Sequence, residues 1–276
     1  MVKKYRSCNS MSLDTFDFDN ISEWGPRCSL ALRDIASPAL YSLIRTVRFD
    51  SFEEPFELIA DQTDEFALID AARGWIGSQN VAGYHGTRLN PAEIASVEAN
   101  GLKTMVLEER MQRLAAILSQ HPNWREVEGD FEPTARNLAR PRIHQAHLTI
   151  SRGMLMQGAP HYLMEGSEFD HAVTLTLLGS EACSVLIEGR SPTLFEFHVP
   201  GGWALSSGYG EHSHEEAPGL VKCVLRHWAY WLHDPAHAPG TQFVDFGLRS
   251  YEDIPPQWVK RAIPIDEAEL LNFYGD

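Results

Sequence analysis

The stretch Val81-Ala82-Gly83-Tyr84-His85-Gly86-Thr87-Arg88-Leu89-Asn90-Pro91 constrains this chain more than any other. A short apolar segment runs into a compact polar core, and that core runs straight into a helix-start signal. Asn90 is placed to cap a helix. Pro91 suits its first position, where a missing N–H costs nothing, and Glu93 stands where a capping box needs its acceptor. Ile94 and Val97 supply the inward face of the next turns, and Gly101 can adopt the positive φ that ends a helix. The spacing predicts a strand, a Gly83–Thr87 turn and a helix of about ten residues. Glycines let a backbone approach a ligand closely, and the flanking elements would hold the turn still, so it is a site candidate.

The rest of the chain bounds what such a site can belong to. At 276 residues it can bury a sizeable core. No run approaches the roughly eighteen apolar residues of a membrane span, and the basic Met1–Cys8 start has no apolar region behind it, so no membrane partner and no secretory signal are expected. Cys8, Cys28, Cys183 and Cys223 are widely spaced, which fits a reducing cytoplasm; delivery as an effector without a signal is left open. The formal charge of −15 disfavours broad binding to nucleic acid.

In chain order, residues 1–28 read as a loose polar arm, with Asp14, Asp17 and Asp19 too loosely patterned for a metal loop. Ser37-Pro38 opens a helix with Leu40, Leu43, Ile44 and Val47 on one stripe. A second helix is expected over 64–73 with Phe66, Leu68 and Ile69 buried, so 1–75 reads as arm plus helical cap and 76–276 as the main domain. A helix over 104–119 carries Leu107, Met111, Leu114 and Ile117/Leu118, and 121–142, rich in charge and proline, reads as a surface loop. Strands are expected at 147–150, 161–164, 184–187, 193–199, 242–248 and 259–265. Helices are expected at 169–180 and 218–232 and at the C-terminus, with a polar loop over 200–217.

The chain has no P-loop, no GxGxxG, no HExxH and no GxSxG. His212-Ser213-His214-Glu215-Glu216 is the best metal candidate, as a His-x-His pair beside a carboxylate, but a solvated loop is the stronger reading and no metal is expected. His144, His147, His227, His233 and His237 read as surface or half-buried histidines.

Gly83-Tyr84-His85-Gly86-Thr87, followed by Ala92–Val97 and Asn100-Gly101-Leu102, resembles the first motif of ADP-ribosyltransferases, in the His-Tyr-Glu branch of diphtheria toxin and poly(ADP-ribose) polymerases. The likeness covers about 25 residues directly. It implies an α+β fold of split, mainly antiparallel sheets with flanking helices, preceded here by the helical N-terminal segment. By the same resemblance His85 grips the ribose of NAD, donating from one ring nitrogen while a neighbour fixes the other. The backbone beside Gly86 holds the nicotinamide amide, and Tyr84, Thr87 and Arg88 complete the first motif, with Arg88 on the diphosphate. Tyr162 matches the stacking tyrosine of the second motif. Val173 or Thr174 stands where a second tyrosine falls in the family, which leaves Phe169 as its substitute.

The third motif is a late-strand glutamate that favours the oxocarbenium-like transition state. The matching strand, 242–248, has no glutamate; Asp245 and Gln242 are the candidates. The expectation is an NAD-dependent mono-ADP-ribosyltransferase acting on a macromolecule, protein before nucleic acid. The rival expectations are a catalytically silent module of the same fold and a metal enzyme built on His212/His214.

Overall fold

The computed structural model describes residues 14–51, 54–140, 142–210, 218–241 and 246–272. The chain opens with β1 (Thr15–Phe16) and four helices, α1 (Ile21–Ala31), α2 (Pro38–Thr46), α3 (Glu54–Gln62) and α4 (Glu65–Gly77). Then come β2 (Asn80–Leu89), α5 (Pro91–Asn100), α6 (Leu107–Leu118), α7 (Trp124–Ala139) and β3 (Ala146–Thr149). Four short or medium helices follow: α8 (Arg152–Gln157), α9 (His161–Met164), α10 (Glu168–Leu178) and α11 (Ser184–Ile187). The last part holds β4 (Ser191–Pro200), α12 (Gly201–Ser207), β5 (Gly208–Gly210), α13 (Pro218–His233), β6 (Phe246–Ser250), β7 (Val259–Pro264) and α14 (Glu267–Asn272).

The fold is α+β, as expected, with an antiparallel sheet in the order β5-β6-β3-β2-β4-β7; β1 adds to β2 in parallel. The two antiparallel neighbours of β2 hold it very differently. It pairs with β4 over ten residues, Asn80↔Pro200 to Leu89↔Ser191, but meets β3 in register only at Tyr84↔Thr149. Beyond Tyr84 the two strands part.

Three cores hold these elements. The main one joins Trp24, Ile44, Ile59 and Ile76 of the N-terminal helices to Phe195, Phe197 and Val199 of β4 and Trp228 of α13. A second lies among α6, α7 and α10 around Leu114, Phe131 and Phe169. A third covers the other face of β2 with Leu155, Leu163, Leu194 and Ile265 packed near Ala82 and Tyr84.

Several expectations are corrected. From Asp14 onward the arm is strand and helix: Phe16, Phe18, Trp24 and Cys28 are all fully buried, and the Trp24 indole N–H donates to Phe18 O at 3.0 Å. Burying an aromatic ring removes about 150–250 Å² from water, roughly 4–6 kcal/mol at 25 cal/mol/Å² before entropy, enough to outweigh an acidic local sequence. Helix α4 matches the 64–73 expectation, but its Phe66 is 84% exposed. The stretch 121–142 is mostly the helix α7, whose Trp124, Phe131, Ala135 and Ala139 form a buried stripe hidden in the sequence by charge and Pro133. Residues 161–164 and 184–187 are the helices α9 and α11, not strands, and the 200–217 loop holds α12 and β5 in its described part. Four-residue apolar runs do not distinguish strand from buried helix, and both runs fell on the wrong side.

The focal block is right in its second half and different in its first. Asn90 and Glu93 form the reciprocal capping box, and Pro91 opens α5. Gly101 ends it at φ +80°, ψ −177°, an extended glycine-only geometry rather than left-handed helix, and a Cβ there would collide with the Ile254 carbonyl. Gly83–Thr87 is no turn: it is the middle of β2. Gly83 allows the close approach of Leu148 across the sheet, which a Cβ would meet at 3.0 Å.

Candidate functional site

Because Gly83–Arg88 is strand, successive side chains leave opposite faces. Tyr84, Gly86 and Arg88 share one face; His85 and Thr87 share the other. A ligand lying on one face does not meet the side chains of both Tyr84/Arg88 and His85/Thr87, which corrects the contiguous set drawn from the sequence; Gly86 offers only backbone.

His85 stands just past the point where β2 and β3 separate, half-buried, with Nδ1 2.9 Å from the His147 carbonyl oxygen. A carbonyl only accepts, so Nδ1 carries the proton and donates. Burial pushes the pKa of His85 down; the bond to His147 O raises it in part, and the Arg110 charge lowers it again. The ring is therefore neutral at pH 7, and Nε2 presents a lone pair. This reverses the expected polarity: the fixed nitrogen is the donor, and the nitrogen left for a ligand accepts.

Arg110, on α6, is held by a bidentate pair with Asp170 on α10, Nε and Nη2 each 2.7 Å from a carboxylate oxygen. Asp170 is 8% exposed at its side chain, so this pair locks the two helices together beside His85. His147 lies in register with Arg249 of β6, and its Nε2 is 3.1 Å from Gln145 Oε1. Burial, then the charges of Arg249 and His85, push its pKa down to about 4. Glu168 also bears on His147. Burial pushes Glu168 up, but hydrogen bonds from Arg142 and Tyr162 outweigh that, and it stays a carboxylate. Arg142 Nη2 donates to it at 3.0 Å, and His161 Nε2 is 3.3 Å from its other oxygen. Tyr162, on α9 with its ring centroid 4.2 Å from that of His161, hydrogen-bonds to Glu168 and packs against the third core.

The other expected residues have different tasks. Arg88, 9% exposed at its side chain, donates to Met164 O and Arg190 O, each at 3.1 Å, and pairs with Glu267. It ties β2 to α9 and α14 and is committed before any diphosphate arrives. Phe169, 2% exposed, fills the second core. Tyr84 donates its hydroxyl to Asp17 Oδ1 at 3.2 Å on the far face, and burial first, then nearby carboxylates, keep it a phenol. Gly86 packs under Leu163, which a Cβ would meet at 3.3 Å. Asp245, Gln242 and the His212/His214 loop lie outside the described residues, among which no group of three His, Cys, Asp or Glu residues could hold a metal ion.

The sequence reading missed His147, Arg110, Arg142 and Glu168. Only His147 carried a signal, as a polar residue at the head of an expected strand. The others come from distant helices and meet through packing.

The far face of β2 has its own polar cavity, about 280 Å³, bordered by Asp17, Asp19, Tyr84, Arg152, Glu196 and Arg261. Glu196 accepts from Arg261 at 2.7 Å and lies 2.8 Å from His198 Nε2. Asp19 accepts from Ser151 Oγ and Arg152 N, each at 2.6 Å, which fixes the start of α8. Burial, then Asp19, raises the pKa of Asp17. No family model, curated protein or solved structure matches the chain.

Proposed function

We propose that this chain is an NAD-dependent mono-ADP-ribosyltransferase, which takes NAD at the opening between β2 and β3 and transfers ADP-ribose to a macromolecular acceptor. The observation that carries the reading is His85: a neutral imidazole at the parting of two central strands, with one nitrogen tied to backbone and the other offering a lone pair. Such a group accepts a hydrogen bond from a ribose hydroxyl and fixes the sugar without adding charge near a developing cation. The Tyr-His-Gly-Thr block with its capped helix supports the reading, as does the single-pair junction of β2 and β3, which fits the split sheet the resemblance implies.

The reaction needs the bond between C1′ of the ribose and the nicotinamide nitrogen to break, with nicotinamide leaving as a neutral molecule. The acceptor nucleophile then bonds to C1′ and gives up its proton. In this reading His85 orients the ribose, Tyr162 faces the nicotinamide ring, and Asp245 or Gln242 steers the 2′-hydroxyl. Protein is the favoured acceptor because of the −15 charge.

The test is incubation of cell lysate with labelled NAD and the full chain, together with chromatographic detection of free nicotinamide. A labelled band and nicotinamide release by wild type, both lost in His85→Ala, are expected. No NAD binding by calorimetry at millimolar NAD would sink the proposal. Binding without nicotinamide release would make the chain a silent module.

A further inference from the structure

Around the end of β6, Trp203, Ser206 and Ser207 of α12 face Arg249, Tyr251 and Glu252 across an open cavity of about 300 Å³. Tyr251 is 65% exposed. It is held in place there. Ser250 Oγ donates to Glu252 O at 2.6 Å and accepts from Glu252 N–H at 3.1 Å, which clamps the turn that carries the ring. The Arg249 guanidinium carbon lies over one face of this ring, 5.7 Å from its centroid, which leaves the other face for a base. Opposite, Trp203 is half-buried and braced edge-on by Trp258, centroids 5.3 Å apart. Ser206 Oγ spends its proton on Trp203 O at 2.9 Å and keeps lone pairs for a donor.

We propose that this cavity binds a single nucleotide, with the base against Tyr251 and the phosphate at Arg249. A largely exposed aromatic ring with a guanidinium over one face, and hydroxyls on the far wall, are groups that bind a nucleotide's base, phosphate and sugar. The volume is at the small end of ligand sites and suits one nucleotide. Glu252 on the rim and the −15 charge repel a longer polyanion. Arg249 lies opposite His147 in the β3–β6 register, so the cavity neighbours the His85–His147 contact without sharing its residues.

The bound group is either the adenylate half of NAD or a separate nucleotide. Calorimetric titration of the full chain with AMP tests the site. Saturable binding is expected. Tyr251→Ala should weaken it roughly 5- to 150-fold, the range of one base–aromatic stack. Tyr251→Phe should keep it, and Arg249→Gln should weaken AMP but leave adenosine unchanged. His85→Ala should bind AMP as wild type does, which separates this site from the proposed catalytic cleft. Competition between AMP and NAD assigns the adenylate half, and simultaneous binding assigns a separate nucleotide. No saturable AMP binding at millimolar concentration, or equal affinity in Tyr251→Ala, overturns the proposal.

Discussion

Replacing His85 in two ways separates what its two nitrogens do. His85→Ala removes the donor to His147 O and leaves that carbonyl without this partner. Losing one hydrogen bond to a part-buried carbonyl costs about 0.5–1.5 kcal/mol. At about 2–4 °C per kcal/mol for a chain near this size, the melting temperature should fall roughly 1–6 °C. His85→Gln keeps an N–H for His147 O and an oxygen for a ligand, so most of that loss should return. For NAD, the alanine variant forfeits one neutral hydrogen bond, about 0.5–1.5 kcal/mol, or a roughly 2- to 13-fold weaker Kd. The pH dependence follows from the lowered pKa. NAD affinity of wild type should be flat from pH 8 to about 6.5 and fall on further acidification, once Nε2 gains a proton and can no longer accept. The glutamine variant should stay flat. Differential scanning fluorimetry and calorimetry over that pH range check both parts. A glutamine variant as unstable as alanine, or wild-type affinity that rises on acidification, would refute the assignment of donor and acceptor.

Three further outcomes are expected. The folded pKa values of His85 and His147 are lowered, so the unfolded chain binds more protons below about pH 6.5; stability present above that pH should be lost as pH falls toward about 4, the value for His147, and urea titrations at stepped pH will show it. Glu93→Ala removes a capping acceptor and the carboxylate shared by Arg113 and Arg190, each at 3.2 Å; about 3 kcal/mol should disappear, with Glu93→Gln recovering only the capping part, and a loss under about 1 kcal/mol in alanine contradicts the network. Arg88→Ala should cost roughly 2–5 kcal/mol, because it frees two carbonyls and Glu267, yet leave NAD affinity unchanged once corrected for folded fraction; a large affinity loss in fully folded protein restores Arg88 as a ligand contact.

How far a residue could be read in advance depended on how local its cause is. The α5 capping box was legible because Asn90, Pro91 and Glu93 satisfy one another within a single turn. The strand β4 was legible because Phe195, Phe197 and Val199 alternate against Glu196 and His198. Misreadings arose where a local signal pointed away from the tertiary answer. Asp14, Asp17 and Asp19 suggested an arm, yet Tyr84 and the start of α8 satisfy two of them while Phe16, Phe18 and Trp24 are buried. Glycines at 83 and 86 suggested a turn, whereas they serve close packing against Leu148 and Leu163 within a strand.

By itself the sequence determined an α+β chain, a capped α5 that ends at Gly101, and the choice of His85 as the residue to test. Only the tertiary structure decided what surrounds that histidine. The His147 carbonyl and Arg110 reach it from β3 and α6, separated by up to 62 residues in the chain, and no periodicity encodes such a meeting. It also decided the proton: a carbonyl 2.9 Å from Nδ1 makes that nitrogen the donor and leaves Nε2 to accept, a fact set by strand register and not by residue type.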